Sequence, residues 1–352
     1  MDSNRPRSVR GRRFSPRTDR IGPPGGAEGF DSGIQEDAGR CAKRPGYQRE
    51  HLAPQAGGRS GDGIGSVGAR HYAGGMLIGA QVREDDPVVS AAERGADIIQ
   101  MFLSDPQGWK KPPSHPQAQE LRDSDVTVVV HSPYVVNLAS LNNRIRIPSR
   151  KIVVQHAEVA AEVGAIGLVV HGGHVTQGED DAKGFDNWRK FVERQQAEGG
   201  FAVPIFIENT AGGENAMARS FEQLARLWDA VGEFGVGFCL DTCHAFAAGL
   251  ELVDVVERAK AITGRIDLVH LNDSRDEFGS ARDRHATIGE GTITATGYGT
   301  GPFRELMAHP AVAGVPVVVE TPSERDGSPT AGHARDIALL CSLRDEAATA
   351  AA

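Results

Sequence analysis

From residue 76 onward, apolar runs alternate regularly with segments whose apolar residues recur at helical spacing. The runs are near-continuous and rich in Val and Ile, as in VPVVVE (315–320), which is typical of parallel strands covered on both faces. They predict strands at 77–82, 97–103, 126–132, 165–171, 203–208, 236–241, 266–271 and 315–320. The segments between and after them predict helices at 87–95, 116–124, 149–164, 184–198, 220–232, 252–263, 302–309 and 332–346.

Eight strand–helix units in about 275 residues favour an α/β fold whose strands close into a (β/α)8 TIM barrel. An open doubly wound sheet is the alternative, but no glycine-rich dinucleotide-binding turn follows the first strand. Ser149, directly after Pro148, is a candidate N-cap for the third helix. Gly164 and Gly264 are placed to end two of the helices in the left-handed conformation.

Residues 1–75 differ from the rest of the chain, because Gly, Pro, Arg and Ser dominate and no apolar periodicity persists. Such a segment buries too little apolar surface to offset its ordering entropy, so we predict a disordered extension before a barrel domain at 76–352. With 13 Lys/Arg against 8 Asp/Glu, one interpretation is a basic arm that contacts nucleic acid. We favour a dispensable extension or a mis-assigned start, with Met76 as the true start directly before the first strand.

Charge, apolar runs and cysteine content indicate the cellular compartment of the protein. The chain carries a net charge of −9, so binding to an acidic partner would depend on local charge. No apolar run approaches the roughly 18–20 residues of a membrane span, and no signal-peptide core follows the basic N-terminus. Cys41, Cys239, Cys243 and Cys341 include no CxxC pair. We therefore expect a cytoplasmic protein without membrane contact.

Residues of the types that commonly ligate metals lie at or just beyond the carboxyl ends of six consecutive predicted strands. They are five histidines and four carboxylates: His131, His171, Glu208, Asp241, His244, His270, Asp283, His285 and Glu320. In a closed barrel these strand ends open onto one face, where active sites are built. A lone histidine there is more often a hydrogen-bonded structural residue, but nine such residues together predict a metal centre.

The number of candidate ligands bears on the number of ions. Nine ligands exceed the four of a tetrahedral ion, so they suit two or three ions, with Glu208 able to bridge. Imidazole and carboxylate without thiolate favour Zn²⁺, with Mn²⁺ a competitor. Cys243 adjoins His244, but its spacing does not indicate a ligand, and we expect it to be buried or to lie behind the ligands. Neighbouring ions about 3.5–4 Å apart stabilise the attacking and leaving oxygens of phosphoryl transfer.

Seven segments of the chain resemble endonuclease IV, the family of zinc-dependent apurinic/apyrimidinic endonucleases of base excision repair. They are HSPYVVNLAS (131–140), VVHGG (169–173), IENTAG (207–212), CLDTCHAFAAG (239–249), HLNDS (270–274), DRHATIGEG (283–291) and VVVET (317–321). The resemblance covers about residues 77–345, in order and with similar spacing.

The resemblance implies a barrel that holds three zinc ions, with every ligand position filled in this chain. Glu208 would bridge the first and second ions and is the candidate catalytic carboxylate. The implied ligands are His131, His171 and Glu208 for the first ion, Glu208, Asp241, His270 and Glu320 for the second, and His244, Asp283 and His285 for the third.

The resemblance also implies the reaction. The substrate would be double-stranded DNA, hydrolysed on the 5′ side of an abasic site to leave a 3′-hydroxyl and a 5′-deoxyribose phosphate. Removal of blocking groups from 3′ ends and a monomeric state are implied too. A metal-bound hydroxide would be the nucleophile, since coordination lowers the pKa of water. An abasic nucleotide has no base to unstack, so flipping it into a pocket costs comparatively little.

Candidate DNA contacts lie in the loops around the same face, where basic side chains would contact phosphates. The candidates are Gln81, Gln107, Lys110, Tyr134, Asn137, Arg144 and Arg284. Any one of the basic residues is more often an ordinary solvated charge, and Tyr134 could be plain packing. Gln81 replaces a DNA-facing His of the family, and Gln107 stands where some members have an Arg that enters the base stack. A glycine-rich stretch, TITATGYGTGP (292–302), is a third departure.

Two other functions remain open from the residues alone. A metal-dependent sugar isomerase or epimerase on the same type of barrel would use strand-end Glu, Asp and His for one or two metals. Such an enzyme should lack a complete third site, and His244 with Asp283 and His285 favours the endonuclease. A lesion-binding protein without catalysis is the other alternative, although binding alone would not need nine ligands.

Overall fold

The structure is a computed structural model that describes residues 75–350 except Glu84 and Glu214. The predicted extension, residues 1–75, lies outside the described residues apart from Gly75. The strands are β1 Ile78–Val82, β2 Ile98–Phe102, β3 Thr127–His131, β4 Leu168–His171, β5 Ile205–Glu208, β6 Gly237–Asp241, β7 Leu268–His270, β8 Asp273–Ser274, β9 His285–Ala286 and β10 Val317–Val319. The α-helices are α1 Pro87–Arg94, α2 Ala118–Asp123, α3 Asn143–Glu162, α4 Ala182–Ala197, α5 Phe221–Val231, α6 Thr242–Ala248, α7 Leu252–Thr263, α8 Gly301–Ala308 and α9 Ala331–Ala350. No helix within this range is long and apolar enough to cross a bilayer.

Eight of the strands close into a barrel in the order β1-β10-β7-β6-β5-β4-β3-β2. All neighbouring pairs whose register is defined are parallel, and a helix follows each barrel strand. The predicted (β/α)8 TIM barrel is therefore confirmed. The bounds of the eight strands differ from the prediction by no more than three residues. β8 and β9 form a separate antiparallel hairpin in the connection between β7 and α8.

The barrel interior has an apolar layer to which seven of its strands each contribute one buried residue. This layer consists of Ile98, Val129, Val169, Phe206, Cys239, Leu268 and Val318. A larger core cluster lies between the strands and the helices, since it contains alternate strand residues such as Ile99 and Val130 together with helix residues such as Leu121 and Trp188. Side chains two residues apart on a strand face the same side. The residues two positions beyond the apolar layer therefore also face the interior, at the carboxyl end of the barrel.

Local polar signals set where several helices begin and end. Asp86 caps α1 by accepting a hydrogen bond from the Val89 amide at 3.0 Å, with Pro87 at the first helical position. A capping box between Ser220 and Gln223 starts α5. Gly164 and Gly264 adopt φ of +72° and +74° at the ends of α3 and α7, as predicted.

The predicted start of the third helix at Ser149 was wrong. α3 begins six residues earlier, with Asn142 as its N-cap, and Pro148 lies inside it. The proline is close to the N-terminus, so it forfeits one backbone hydrogen bond, to the carbonyl of the exposed Arg144, which water can reach. Ser149 is instead buried, where its hydroxyl donates to the Ile145 carbonyl at 2.8 Å and accepts from the Asn137 amide at 2.9 Å.

Among the α-helices and β-strands of the described residues, two short elements were absent from the prediction, namely α6 and the β8–β9 hairpin. Asp241 caps α6 by accepting from the His244 amide at 2.6 Å, and Gly249 ends the helix with a φ of +87°. Six of the seven α6 residues are buried, so no polar face produces a helical period in the sequence. The hairpin strands have two residues each, which is too short for an alternation pattern.

The close approach of β1 to β2 requires glycine at position 79. A methyl group there would overlap the backbone carbonyl of Ile98, which cannot rotate away as a side chain could. We expect Gly79→Ala to lower the free energy of unfolding by about 1–3 kcal/mol, as overpacking does. Chemical denaturation would measure this change. Gly301→Ala is the control, because a methyl at the first residue of α8 meets only Tyr298 Cβ at 3.7 Å and should leave stability unchanged or slightly higher. Equal effects of the two substitutions would contradict the explanation.

Candidate metal centre

The barrel brings all nine predicted ligands to its carboxyl end. His131, His171, Glu208, Asp241 and His270 are the last residues of β3 to β7, and Glu320 directly follows β10. These six are the residues two positions beyond the apolar layer, so they face the interior. His244 lies in the first turn of α6, Asp283 lies in the loop of the β8–β9 hairpin, and His285 is the first residue of β9. The Asp283 side chain is the most open of the nine, at 49% exposure.

The nine side chains form three groups in which the potential ligand atoms lie within 4.8 Å of one another. In the first group, Glu208 Oε2 lies 3.1 Å from both His131 Nε2 and His171 Nε2. In the second, Glu208 Oε1 lies 3.0 Å from His270 Nδ1, which is 3.4 Å from Glu320 Oε2 and 4.0 Å from Asp241 Oδ2. In the third, Asp283 Oδ1 lies 3.1 Å from both His244 Nε2 and His285 Nε2.

The third group fits a metal ion on the evidence of two buried ring nitrogens. His244 Nε2 and His285 Nε2 are each close to Asp283 Oδ1, yet neither has a hydrogen-bond partner in the described part of the chain. The short distances therefore do not come from a well-directed hydrogen bond. Buried polar nitrogens without partners are costly. A cation between the three atoms would satisfy all of them.

Backbone carbonyls determine which ring nitrogen of three histidines carries the proton. His131 Nδ1 lies 2.7 Å from the Ser132 carbonyl oxygen, and His244 Nδ1 lies 2.9 Å from that of Asn209. His285 Nδ1 lies 3.3 Å from the carbonyl oxygen of Glu320. A carbonyl only accepts, so each Nδ1 donates, and each Nε2 is the nitrogen that could offer a lone pair to an ion once its own proton is displaced.

The electrostatics of the three groups favour positive charge. Burial by itself raises the pKa of Glu208, but His270 and His171 outweigh it and hold the pKa well below its usual range. Burial by itself lowers the pKa of His285, but Asp283 and Asp241 outweigh it and raise the pKa to about 9. Metal binding would thus displace protons from these imidazoles. The carboxylates create an environment suited to a cation.

A fourth group shares one residue with the second group and one with the third. Asp241, Cys243 and His285 also place potential ligand atoms within 4.8 Å of one another. Cys243 is buried, as predicted, and burial raises the pKa of its thiol to about 12. A neutral thiol is a poor ligand. Because His285 also belongs to the third group, the two arrangements are alternatives for that residue.

The predicted DNA-contact residues fall into two sets. Gln107, Lys110, Tyr134 and Arg144 are exposed. The others are engaged or buried. Asn137 ties the loop after β3 to the loop after β4, with Nδ2 donating to the His174 carbonyl at 2.9 Å. Arg284 donates to both carboxylate oxygens of Asp276. Gln81 is 5% exposed, and its Nε2 is buried with no partner in the described residues.

Comparisons with known proteins show the family to which this chain belongs. A family model described as a xylose isomerase-like TIM barrel matches residues 88–343. Proteins named probable endonuclease 4 from Mycobacterium tuberculosis strain H37Ra and Mycobacterium leprae strain TN are 50% and 51% identical to this chain over 265 residues. Each alignment covers 75% of this chain and 98% of the relative. The chain belongs to the endonuclease IV family.

Solved structures of other proteins share the fold of this chain. Endonuclease IV from Thermus thermophilus matches with a TM-score of 0.64 and 26% identity, over 77% of this chain and 99% of that one. A D-tagatose 3-epimerase-like protein matches with a TM-score of 0.63 and 19% identity, over 79% of this chain and 100% of that one. At that identity the epimerase match shows the shared fold alone.

In this member of the endonuclease IV family, several residues that support the ligands were missed by the sequence analysis. Asn272 Nδ2 donates to Asp241 Oδ2 at 2.7 Å, and Asn209 brackets the Asp241 backbone with hydrogen bonds of 2.7 and 2.9 Å. Gln100 contacts both His270 and Glu320. The two asparagines lie in polar segments, where no sequence pattern distinguishes them from ordinary loop residues. Gln100 interrupts the apolar run of β2, which is the signal that could have identified it.

Metal content should distinguish the third group from the thiol-containing one. We expect Asp283→Ala to lose one bound zinc per chain, because Asp283 belongs only to the third group and its loss leaves two protein ligands there. Cys243→Ala should keep the full content. Metal analysis after dialysis against a weak chelator would measure both. Loss of zinc from Cys243→Ala with retention in Asp283→Ala would instead assign the ion to the thiol.

Proposed function

We propose that this chain is a DNA repair endonuclease that hydrolyses the phosphodiester on the 5′ side of an abasic site in double-stranded DNA. The products would be a 3′-hydroxyl and a 5′-deoxyribose phosphate, and blocked 3′ ends would be a second substrate. The supporting observation is the complete set of nine ligand residues in three groups at the mouth of the barrel. Membership of the endonuclease IV family supports the DNA substrate.

We assign three zinc ions to the groups already described, with Mn²⁺ as a possible replacement. The donors are imidazole and carboxylate, which suit both metals. Zinc in such a cluster activates water at neutral pH and stabilises charge on the attacking and leaving oxygens of a phosphodiester. The proposed ligands are His131, His171 and Glu208 for the first ion, Glu208, Asp241, His270 and Glu320 for the second, and His244, Asp283 and His285 for the third.

Glu208 is the residue on which this assignment depends most. It is fully buried, and its two oxygens belong to different groups, with Oε2 near His131 and Oε1 near His270. The neighbouring imidazoles hold its pKa low, so it stays ionised and can offer one oxygen to each of two ions. A glutamine has a single acceptor oxygen and no charge, so it could not take this role.

Tyr134 and Gln81 offer hydrogen-bond donors to a substrate. The Tyr134 ring lies nearly parallel to that of His171 at 5.9 Å and is 42% exposed. Burial raises the pKa of the Tyr134 hydroxyl, and the negative charge of the nearby Glu320 raises it further. The hydroxyl therefore stays protonated and can donate. The Tyr134 amide also donates to the Pro106 carbonyl, which joins this loop to the loop of Gln107. The Nε2 of Gln81 is a second donor without a partner among the described residues, although it is buried.

The endonuclease assignment is tested by incision of a labelled duplex that carries one tetrahydrofuran abasic analogue. This analogue cannot undergo β-elimination, so cleavage of it must be hydrolytic. We expect incision 5′ to the lesion, at least about 100-fold slower in Glu208→Gln and abolished by chelation of zinc. Electrophoresis against size markers would report both the position and the rate.

Glu193→Gln is the matched control for that assay, because the same change is made on the exposed surface of α4. Its rate should equal that of the wild type. A folded, zinc-loaded wild type that does not incise the duplex would overturn the endonuclease assignment and favour the sugar epimerase alternative.

Salt dependence tests whether the exposed basic residues contact phosphates. Binding would be measured in a Glu208→Gln background, so that the duplex stays intact. Lys110→Ala and Arg144→Ala should each weaken binding and reduce the slope of log K against log salt concentration by about 0.9, as expected for one lost phosphate contact. Lys190→Ala in α4, whose side chain pairs with Asp186 at 2.6 Å, should leave the slope unchanged. Unaltered slopes in all three variants would exclude phosphate contacts by Lys110 and Arg144.

A further inference from the structure

The carboxyl end of the barrel interior is a ring of eight polar side chains, one from each barrel strand. Six are the proposed ligands of the first two metal groups, contributed by β3 to β7 and the residue after β10. The other two are glutamines, Gln81 on β1 and Gln100 on β2, which are register partners on adjacent strands. Gln100 is completely buried. The ring is therefore closed by two uncharged amides next to the second metal group.

Gln100 uses its whole amide in contacts with the ring. Its Nε2 donates to Glu320 Oε1 at 2.6 Å and to Gln81 Oε1 at 2.9 Å. Its Oε1 lies 2.8 Å from His270 Nε2. The orientation of the amide follows from chemistry, because the Glu320 carboxylate can only accept and must face the NH₂ group. The oxygen of Gln100 consequently faces His270.

This orientation determines the tautomer of His270. An amide oxygen only accepts, so His270 Nε2 must carry the proton and donate it to Gln100. His270 Nδ1 lies 3.0 Å from Glu208 Oε1 and 3.4 Å from Glu320 Oε2, and with an ion bound it would be the nitrogen that offers a lone pair. In the other groups, backbone carbonyls perform this task for His131, His244 and His285. His270 depends on a side chain instead, and that side chain also holds Glu320.

We propose that Gln100 is a positioning residue for the second metal group, where it fixes the His270 tautomer and the orientation of the Glu320 carboxylate. It would not touch the substrate or the ion. This inference rests on the metal assignment made above. If Gln100 served only to fill the interior, a shape-filling apolar residue would replace it without affecting metal binding.

Zinc affinity separates these two roles. We expect Gln100→Leu to bind one of its zinc ions about 10–100-fold more weakly, as loss of a partner behind a metal ligand does, with the remaining ions unaffected. Titration against a chromophoric chelator would measure this without DNA. The control is Gln195→Leu, the same change at a buried glutamine in α4 whose amide donates to Glu198 at 3.0 Å. It should bind zinc as the wild type does. Equal zinc affinity in Gln100→Leu and the wild type would overturn the proposal.

A second measurement uses the wild type and does not depend on the folding of a variant. Long-range ¹H–¹⁵N NMR of the zinc-loaded protein reports which nitrogen of each imidazole carries the proton. The His270 signal, assigned by its loss in His270→Gln, should show the proton on Nε2, whereas His131, His244 and His285 should show it on Nδ1. A proton on His270 Nδ1 would refute the role of Gln100.

These readouts are independent of the incision assay. Weakened zinc binding in Gln100→Leu, together with a wild type that does not incise abasic DNA, would leave the positioning role intact and reject only the endonuclease activity. Incision by the wild type together with unaltered zinc binding in Gln100→Leu would support the endonuclease activity and reject the positioning role of Gln100.

Discussion

The site depends on one geometric constraint, that side chains two residues apart along a strand face the same side of a closed barrel. Within the barrel this places an apolar layer below and a polar ring above, each built from the same strands. The seven side chains of the apolar layer are buried against one another beneath the ring. Because the strands are parallel, all the polar residues emerge at the same end, and ligands far apart in sequence meet there.

That arrangement concentrates charge where it would otherwise be unfavourable. Glu208 and Asp241 are both completely buried, and an isolated buried carboxylate would be protonated or destabilising. Glu208 is tolerated because imidazoles lie within about 3 Å of both its oxygens. Folding and ligand placement are thus coupled, since the barrel forces the groups together and only positive charge between them makes the cluster stable.

The precision of the cluster comes from groups behind the ligands. Backbone carbonyls orient three imidazoles, Asn272 holds Asp241, and Gln100 joins His270 to Glu320. Each of these partners lies on a barrel strand or in the first residues after one. The rigid barrel therefore fixes the positions of the candidate ligands. The exposed residues around the mouth, such as Tyr134 and Lys110, lie instead on loops, where adaptation to a large substrate is easier.

The sequence by itself determined the barrel and the candidate ligands, because the first is a periodic signal and the second is a chemically distinctive one. Val- and Ile-rich runs located all eight barrel strands, and His, Asp and Glu at or beyond their ends identified the side chains that the barrel brings together. Only the tertiary structure decided the rest. Sequence spacing cannot show that Glu208 divides its oxygens between two groups, or that Gln100 faces His270. The start of α3 and the existence of α6 were also visible only in the folded protein. Helix α3 contains an internal proline, and α6 is buried on nearly every side. These features arise from contacts between residues distant in sequence, which local patterns do not encode.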